Sequence, residues 1–311
     1  MQKKLISFVI PAYNEEGNVE RLHQALAALF ARQPKYDWEA IIVENGSQDA
    51  TYQKLLTVHN VDQRFKILKL SRNFTAEGGI SAGLHYAKGD AIIIMYADLE
   101  DPPEVTTQFV EKWELGYENV YGVVRKRHGT WLRRQNSKMF YWVLDKLTGG
   151  IIPRYVADFR LIDRKVCDVI NTMPERTRFL RGLFAWAGFK SVGIPYDRTT
   201  RIAGESKAST VVVLRLALRG ILAFSHVPLH LAGILGLMLC GISFLGIIYF
   251  VIRILIFGLL PFDGYGTLVC LILFLFGFLF VLLGILSEYI AMMFEEVKQR
   301  PVFIVSEEIG F

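Results

Sequence analysis

Two long stretches without a formal charge divide this chain. Residues 229–252 and 265–287 contain no Asp, Glu, Lys or Arg. Each exceeds the roughly 20 residues that a helix needs to cross a hydrocarbon core. A soluble fold would have to bury both in an unusually large core, so the expectation is two membrane-spanning helices, near 228–257 and 264–291. The link 258–264 holds one Asp and no Lys or Arg. Lys207, Arg215 and Arg219 precede the first helix, and Lys298 and Arg300 follow the second. The positive-inside rule then places both ends of this hairpin in the cytoplasm. Arg253 and Glu288 fall near opposite ends of the hairpin, each reaching its nearer interface.

Charge reinforces this division. The net charge is +5, yet residues 125–227 carry 20 Lys and Arg against 7 Asp and Glu. A basic block just before an apolar run is suited to anionic headgroups and phosphates. No nucleic-acid-binding motif accompanies it, so nucleic acid is not an expected partner. Residues 210–224 are apolar all round except for Arg215 and Arg219, four apart on one helix face, as in a helix lying in the membrane interface. Cys167, Cys240 and Cys270 have neither CxxC nor metal-site spacing, which fits a reduced, cytosol-facing protein. The apolar run 5–10 is too short for a signal peptide and meets Pro11 and the acidic Glu15-Glu16 at once.

The first 125 residues alternate between two patterns. Short apolar runs at 5–11, 38–44, 65–70, 91–95 and 119–124 read as strands. Helical periodicity occupies 17–31, 51–59, 75–87 and 103–115 between them. This alternation predicts right-handed βαβ crossovers and a mainly parallel sheet covered on both faces. Further on, 135–147 and 164–173 read as helices, and 157–163 and 191–196 as strands. A short strand at 302–305 could pair within the chain or with a neighbouring copy. No GxGxxG or Walker-type loop follows any strand, which excludes the common dinucleotide and P-loop signatures.

The chemistry collects where the strands end. The run 91–95 gives way to Asp98, Glu100 and Asp101 before Pro102-Pro103. Three carboxylates at the tip of a buried strand are hard oxygen donors suited to a divalent cation and a phosphate ester, and open α/β sheets bind ligands at that end. For Asp101, capping of the helix that starts at the prolines is an equal alternative. Polar, turn-rich segments close the other strands: Pro11-Ala-Tyr-Asn-Glu-Glu16, Val43-Glu-Asn-Gly-Ser-Gln-Asp-Ala-Thr51 and Leu70-Ser-Arg-Asn-Phe74.

These four segments, in this order, resemble glycosyltransferase family 2. Within it they resemble the polyprenyl-phosphate glycosyltransferases, which include dolichyl-phosphate mannose synthases and bacterial bactoprenol glucosyltransferases. The resemblance covers essentially the whole chain. It implies a GT-A α/β domain with a mainly parallel sheet, followed by interfacial amphipathic helices and a two-helix transmembrane hairpin. The implied boundaries are 1–209 for the catalytic domain, 210–227 for the interfacial helix, 228–291 for the spans and 292–311 for a cytoplasmic tail. The implied reaction is inverting transfer of a hexose, glucose from UDP-glucose, to undecaprenyl phosphate.

The resemblance also assigns residues. Pro11, Tyr13, Glu15, Val43, Asn45 and Asp98 match nucleotide- and donor-binding positions. The family's Asp-x-Asp metal motif reads Tyr96-Ala97-Asp98 here, so Asp98 is the expected ligand for Mg2+ or Mn2+, with Glu100 a further candidate. Asp158, in Val156-Ala-Asp-Phe-Arg-Leu161, matches a catalytic position. Arg201-Ile-Ala-Gly-Glu-Ser-Lys207 matches an acceptor-phosphate motif, which assigns Arg201, Ser206 and Lys207 to the lipid phosphate together with Arg127. Arg201 and Lys207 count also as catalytic. The partners implied are a nucleotide sugar, polyprenyl phosphate and the bilayer, and a homo-oligomer is compatible with this set. Three rival readings are a processive polysaccharide synthase, whose Gln-x-x-Arg-Trp motif is absent, a transporter, and an inactive nucleotide-sugar sensor.

Overall fold

The structure is a computed structural model, and it describes residues 3–125, 156–199, 227–257 and 265–311. The chain divides into two compact units, Met1–Ala217 with Arg300–Phe311, and Leu218–Gln299. The first unit begins β1 (Leu5–Ala12), α1 (Val19–Arg32), β2 (Asp37–Glu44), α2 (Thr51–Val61), β3 (Phe65–Leu70), α3 (Thr75–Tyr86) and β4 (Ala91–Ile94). A 3-10 turn, Pro103–Val105, leads into α4 (Thr106–Glu114) and β5 (Asn119–Val124). Then come β6 (Val156–Asp163), α5 (Arg164–Thr172), α6 (Leu180–Trp186) and β7 (Ser191–Tyr196).

Among the described residues the strands form one eight-stranded sheet, ordered β7-β5-β6-β4-β1-β2-β3-β8, where β8 is Val305–Ile309. The central pairs β4–β1, β1–β2 and β2–β3 are parallel. Strand β6 runs antiparallel to both β4 and β5. Strands β1 and β2 are buried on both faces, as parallel strands covered by helices must be, which is why they read as unbroken apolar runs. Ile6, Phe8 and Ile10 point to one face, in the main core with Leu22 and Leu26 of α1 and Phe109 of α4. Val9 points to the other, under α3. A Cβ built on Gly83 of α3 would lie 2.3 Å from Val9 Cγ1, so only glycine lets this helix sit so close to β1.

The tail strand lies later than the sequence pattern placed it, at Val305–Ile309 instead of 302–305, and it pairs antiparallel with β3 of its own chain. Charge and side-chain bonds fix that register. Glu307 accepts from Tyr52 and Lys69, each at 2.5 Å, and Glu308 accepts from Tyr86 at 2.6 Å.

The second unit holds α7 (Val227–Phe257) and α8 (Tyr265–Lys298). Both bear large apolar side chains exposed along their length, Leu237 and Leu255 on α7 and Phe280 and Val297 on α8 among them. Among the described residues, one segment is long and apolar enough to cross a membrane, Phe274–Lys298. The expected helices at 135–147 and 210–224 lie outside the described residues.

Candidate functional site

The order β4-β1-β2 creates the crevice. Strands on either side of β1 are reached by crossovers in opposite directions, so the loops after β1 and β4 diverge at their C-terminal ends. Four loops meet on that rim.

The loops after β1 and β2 are laced together. Asn14 takes a left-handed backbone (φ 54°). It donates its N–H to Ser47 Oγ at 3.0 Å and accepts from Gln48 N at 2.8 Å. The Glu15 N–H donates to Thr51 Oγ1 at 2.8 Å. The Glu15 carboxylate accepts from Asn18 Nδ2 at 2.6 Å. Tyr13 and Glu15 are half-buried at the rim, whereas Pro11 is buried in β1. Val43 is fully buried in β2, so its side chain cannot reach a ligand at the rim and only its backbone is available there. Asn45, also buried, brackets the loop after β3, accepting from Phe74 N at 2.9 Å and donating to Thr75 O at 2.8 Å.

Gly46 makes this bracket possible. Its φ is +72°, and a Cβ there would lie 2.7 Å from Arg72 C and 2.8 Å from Asn73 N. Gly46→Ala is expected to cost about 1–3 kcal/mol of stability, from the left-handed backbone and the forced separation of two loops. Chemical denaturation of the variant measures this.

The antiparallel run of β6 brings distant chemistry to the same rim. Ile94 pairs with Arg160, so Asp158 near the start of β6 lies beside the chain leaving β4. Tyr96 donates its hydroxyl to Asp158 Oδ2 at 3.0 Å. From α6, Arg181 grips the same carboxylate with two bonds, Nε to Oδ1 and Nη2 to Oδ2, each at 2.5 Å. Burial alone would push Asp158 upward. The Arg181 charge and its hydrogen bonds outweigh that and hold the carboxyl at about 2. Asp158 is thus an ionised anchor at neutral pH. Arg160 lies beneath, nearly fully buried, donating to Ala157 O at 3.1 Å with its guanidinium 4.4 Å from the Phe184 ring centre. Burial lowers Arg160 to about 10.

Glu77, in the first turn of α3, completes the cluster. It accepts from Leu180 N at 3.2 Å. Burial first, then the negative charge of Asp158, raises its carboxyl to about 7. A folded-state value above the ordinary 4.5 means that the native protein binds this proton more tightly than the unfolded chain. The resulting stability is complete below about pH 4.5 and is lost as pH rises through 7. Glu77→Gln is therefore expected to be more stable than the parent by about 1 kcal/mol at pH 8, a value reduced for partial solvent exposure. At pH 5 the difference should vanish, and thermal melting at the two pH values checks it.

Asp98 sits two residues beyond Tyr96, half-buried, with Oδ1 accepting from Glu100 N at 3.2 Å. Glu100 faces Arg198 Nη1 at 3.4 Å, with both side chains partly in solvent. Asp101 does not cap the helix that follows, contrary to one reading of the Pro102-Pro103 sequence. It is buried, accepting from Tyr196 Oη, from Arg198 Nε at 2.8 Å and from Arg198 Nη2 at 3.3 Å. Burial raises its carboxyl despite these partners.

No group of three or more potential metal-ligating side chains occurs among the described residues. A hard divalent ion does not need one. Mg2+ is commonly held by one or two carboxylates, with substrate phosphates and water completing its shell. Asp98 fits that role by its oxygen chemistry and its accessible position at the rim. Glu100 could join it by leaving a loose ion pair, whereas Asp101 is committed elsewhere.

Arg127, Arg201, Ser206 and Lys207 lie outside the described residues. Arg125 pairs with Asp197 at a marginal 4.0 Å, both well exposed. Sequence reasoning missed Arg181, Glu77 and Arg198. Arg181 stands 23 residues from Asp158 and on a different element, and no spacing rule connects them.

Residues 7–170 match glycosyl transferase family 2. An uncharacterized glycosyltransferase of Synechocystis is 40% identical over 306 residues, covering 98% of this chain and 96% of the relative. A prophage-derived bactoprenol glucosyl transferase of Shigella flexneri is 36% identical over 303 residues, covering 97% of each. Among solved structures, mannosyl-3-phosphoglycerate synthase from Rubrobacter xylanophilus superposes with a TM-score of 0.48 at 16% identity, covering 70% of this chain and 71% of that one. The sheet is the α/β GT-A arrangement that the sequence resemblance implied. By the family match and these full-length relatives, the chain belongs to glycosyl transferase family 2 and is a glycosyltransferase.

Proposed function

We propose that the protein transfers glucose from UDP-glucose to polyprenyl phosphate, with inversion at the anomeric carbon. The observation that carries this reading is the pairing of half-buried Asp98 with the ionised Asp158–Arg181–Tyr96 cluster on one rim of the sheet. Relatives named as bactoprenol glucosyl transferases, matched over nearly the whole chain, support the acceptor and the sugar. Tyr13 and Glu15 would contact the nucleotide, with Pro11 and the backbone of Val43 shaping its pocket and Asn45 keeping the loop in place. Asp98, assisted by Glu100, would hold Mg2+ or Mn2+. When bound, such an ion supplies positive charge to the leaving diphosphate.

The chain's own groups do the rest. A phosphate monoester has a second pKa near 6. The acceptor is therefore already a good nucleophile at neutral pH and needs no strong base. An Asp158 carboxylate held at about 2 would be a poor base in any case. Its work would be to orient Arg181, whose charge could then offset negative charge that shifts during the displacement. The acceptor oxygen forms its bond to the anomeric carbon as the bond to the nucleoside diphosphate breaks, and the leaving group keeps the electron pair. Arg127, Arg201, Ser206 and Lys207 would receive the lipid phosphate.

The same reading places the interfacial helix at 210–227 and spans at 228–291. It puts the catalytic unit and both termini on the cytoplasmic side, supported by the distribution of Lys and Arg. A donor screen tests the chemistry. Purified full-length protein, a short polyprenyl phosphate and Mg2+ or Mn2+ are incubated with labelled UDP-glucose, UDP-N-acetylglucosamine, GDP-mannose or UDP-aminoarabinose. The reading expects lipid-linked label from UDP-glucose above the others. Preference for another donor would overturn the assignment of the sugar.

A further inference from the structure

Three consecutive residues in the first turn of α3 meet three different segments. Gly79 lies against the two segments assigned above to the nucleotide. A Cβ there would lie 3.0 Å from Pro11 Cβ and 3.5 Å from Asn45 Nδ2. Gly78 lies against the loop after β3, where a Cβ would come within 2.7 Å of Phe74 Cβ. Glu77 faces away from Gly79, because two residues of a helix turn it by roughly 200°. Its carboxylate reaches α6 and accepts the N–H of Leu180, the first residue of that helix, at 3.2 Å. An N–H at a helix start has no partner within its own helix. Phe179, which precedes it, carries no side-chain acceptor that could cap it. One turn along α3, buried Ser81 lies on the same face as Glu77 and accepts from Arg178 Nη1 at 3.4 Å, just ahead of α6.

Helix α6 has seven residues, too few to form by propensity alone, so its place is set from outside. Leu180, whose N–H Glu77 holds, immediately precedes Arg181. Arg181 must present two N–H groups to the two oxygens of Asp158 in one fork, a geometry that tolerates little displacement. We propose that Glu77 is a positioning residue for the transfer reaction. By holding the start of α6 it aims Arg181 at Asp158, and through α3 it keeps that pair in register with the segments that bear Pro11 and Asn45. Either protonation state of the carboxyl offers an oxygen to the Leu180 N–H, so the hold rests on the bond and not on the charge. This inference rests on the assignment of the Asp158–Arg181 pair to the displacement proposed above.

A split between rate and nucleotide binding tests it. The purified protein in detergent is given UDP-glucose, a short polyprenyl phosphate and Mg2+ under single-turnover conditions, at a temperature where thermal melting shows each variant folded. Glu77→Ala should lower the rate at saturating substrates about tenfold, the equivalent of about 1.4 kcal/mol on the barrier. UDP affinity, measured by calorimetry, should stay within about twofold of the parent. Glu77→Gln keeps an oxygen for the Leu180 N–H and should restore the rate to within about twofold of the parent. Glu77→Ala added to Arg181→Gln should cost less than about twofold more, since residues that act as a unit are not additive. Should Glu77→Ala not fold, Glu77→Asp, one methylene shorter, takes its place. A parent-like rate in Glu77→Ala, or equal impairment in Glu77→Gln, overturns the inference. A further tenfold loss in the double variant also overturns it, because Glu77 would then act apart from Arg181. If the parent itself binds UDP but transfers nothing to polyprenyl phosphate, the functional reading fails and this inference falls with it.

Discussion

Asp158→Asn lowers sugar transfer by about 100- to 1,000-fold, the range for losing a preorganised electrostatic contact in an active site, while UDP binding stays near the parent value. The reason lies in how the carboxylate is used. Both of its oxygens are engaged, by Arg181 and by Tyr96. An amide has one acceptor oxygen and presents N–H groups in place of the other. Those N–H groups would face the donors of Arg181 or Tyr96, and the guanidinium would lose its orientation. Arg181 is partly exposed, so the stability cost should be about 1–3 kcal/mol and not the larger figure of a fully buried pair. Arg181→Gln should reproduce the loss of turnover. Tyr96→Phe removes one neutral bond to a charged group and should cost about tenfold or less. Single-turnover kinetics alongside UDP calorimetry separates these variants. Near-normal turnover in Asp158→Asn would remove Asp158 from the mechanism.

The pH dependence of the pair has a definite sign. The folded carboxyl, at about 2, lies below its ordinary 3.8. The stability it contributes is present above about pH 3.8 and is lost as pH falls through 2. Asp158 should thus add nothing to the pH profile of turnover between 5 and 9. Any neutral-range inflection belongs elsewhere, with Glu77 at about 7 the titrating group in the same cluster.

Asp98→Ala carries the second large effect. It should reduce kcat/KM by about 1,000-fold or more, if one carboxylate and the diphosphate share the divalent ion. A binding readout accompanies activity. UDP affinity of the parent should rise when Mn2+ is added, and UDP affinity of Asp98→Ala should not respond to it. Glu100→Gln should lose much less, because that side chain already faces Arg198. Equal losses in the two variants would place both carboxylates on the ion.

Short apolar runs marked the strands in the sequence, most plainly in β1, β2 and β4, which are buried on both faces. Strands β3, β5 and β7 fall at the residues that the apolar runs mark, and β1, β2 and β4 differ by one residue at an end. Parallel strands between helix layers must be apolar throughout, which makes them conspicuous. In the sequence, Asp98 stands out as an acid just after the apolar run 91–95, whereas Asp158 is marked by the family resemblance of Val156–Leu161. The candidate site was not legible where partners come from afar. Asp101 looked like a helix cap because Pro102-Pro103 follow it, but its partners Tyr196 and Arg198 lie 95 and 97 residues away. Arg181 belongs to a seven-residue helix too short to show a periodic pattern, and only the antiparallel return of β6 brings it to Asp158. The tail strand shifted because its register is set by Tyr52, Lys69 and Tyr86, none of them visible in the apolarity of 302–305.

Glucosyl transfer to a lipid phosphate is measured by incubating the protein, in lipid nanodiscs containing undecaprenyl phosphate, with radiolabelled UDP-glucose. The expected product is one glucose per lipid phosphate, released by mild acid, with formation abolished by EDTA and restored by Mg2+ or Mn2+. A growing polymer on the lipid, or nucleotide binding without any lipid-linked sugar, would contradict it.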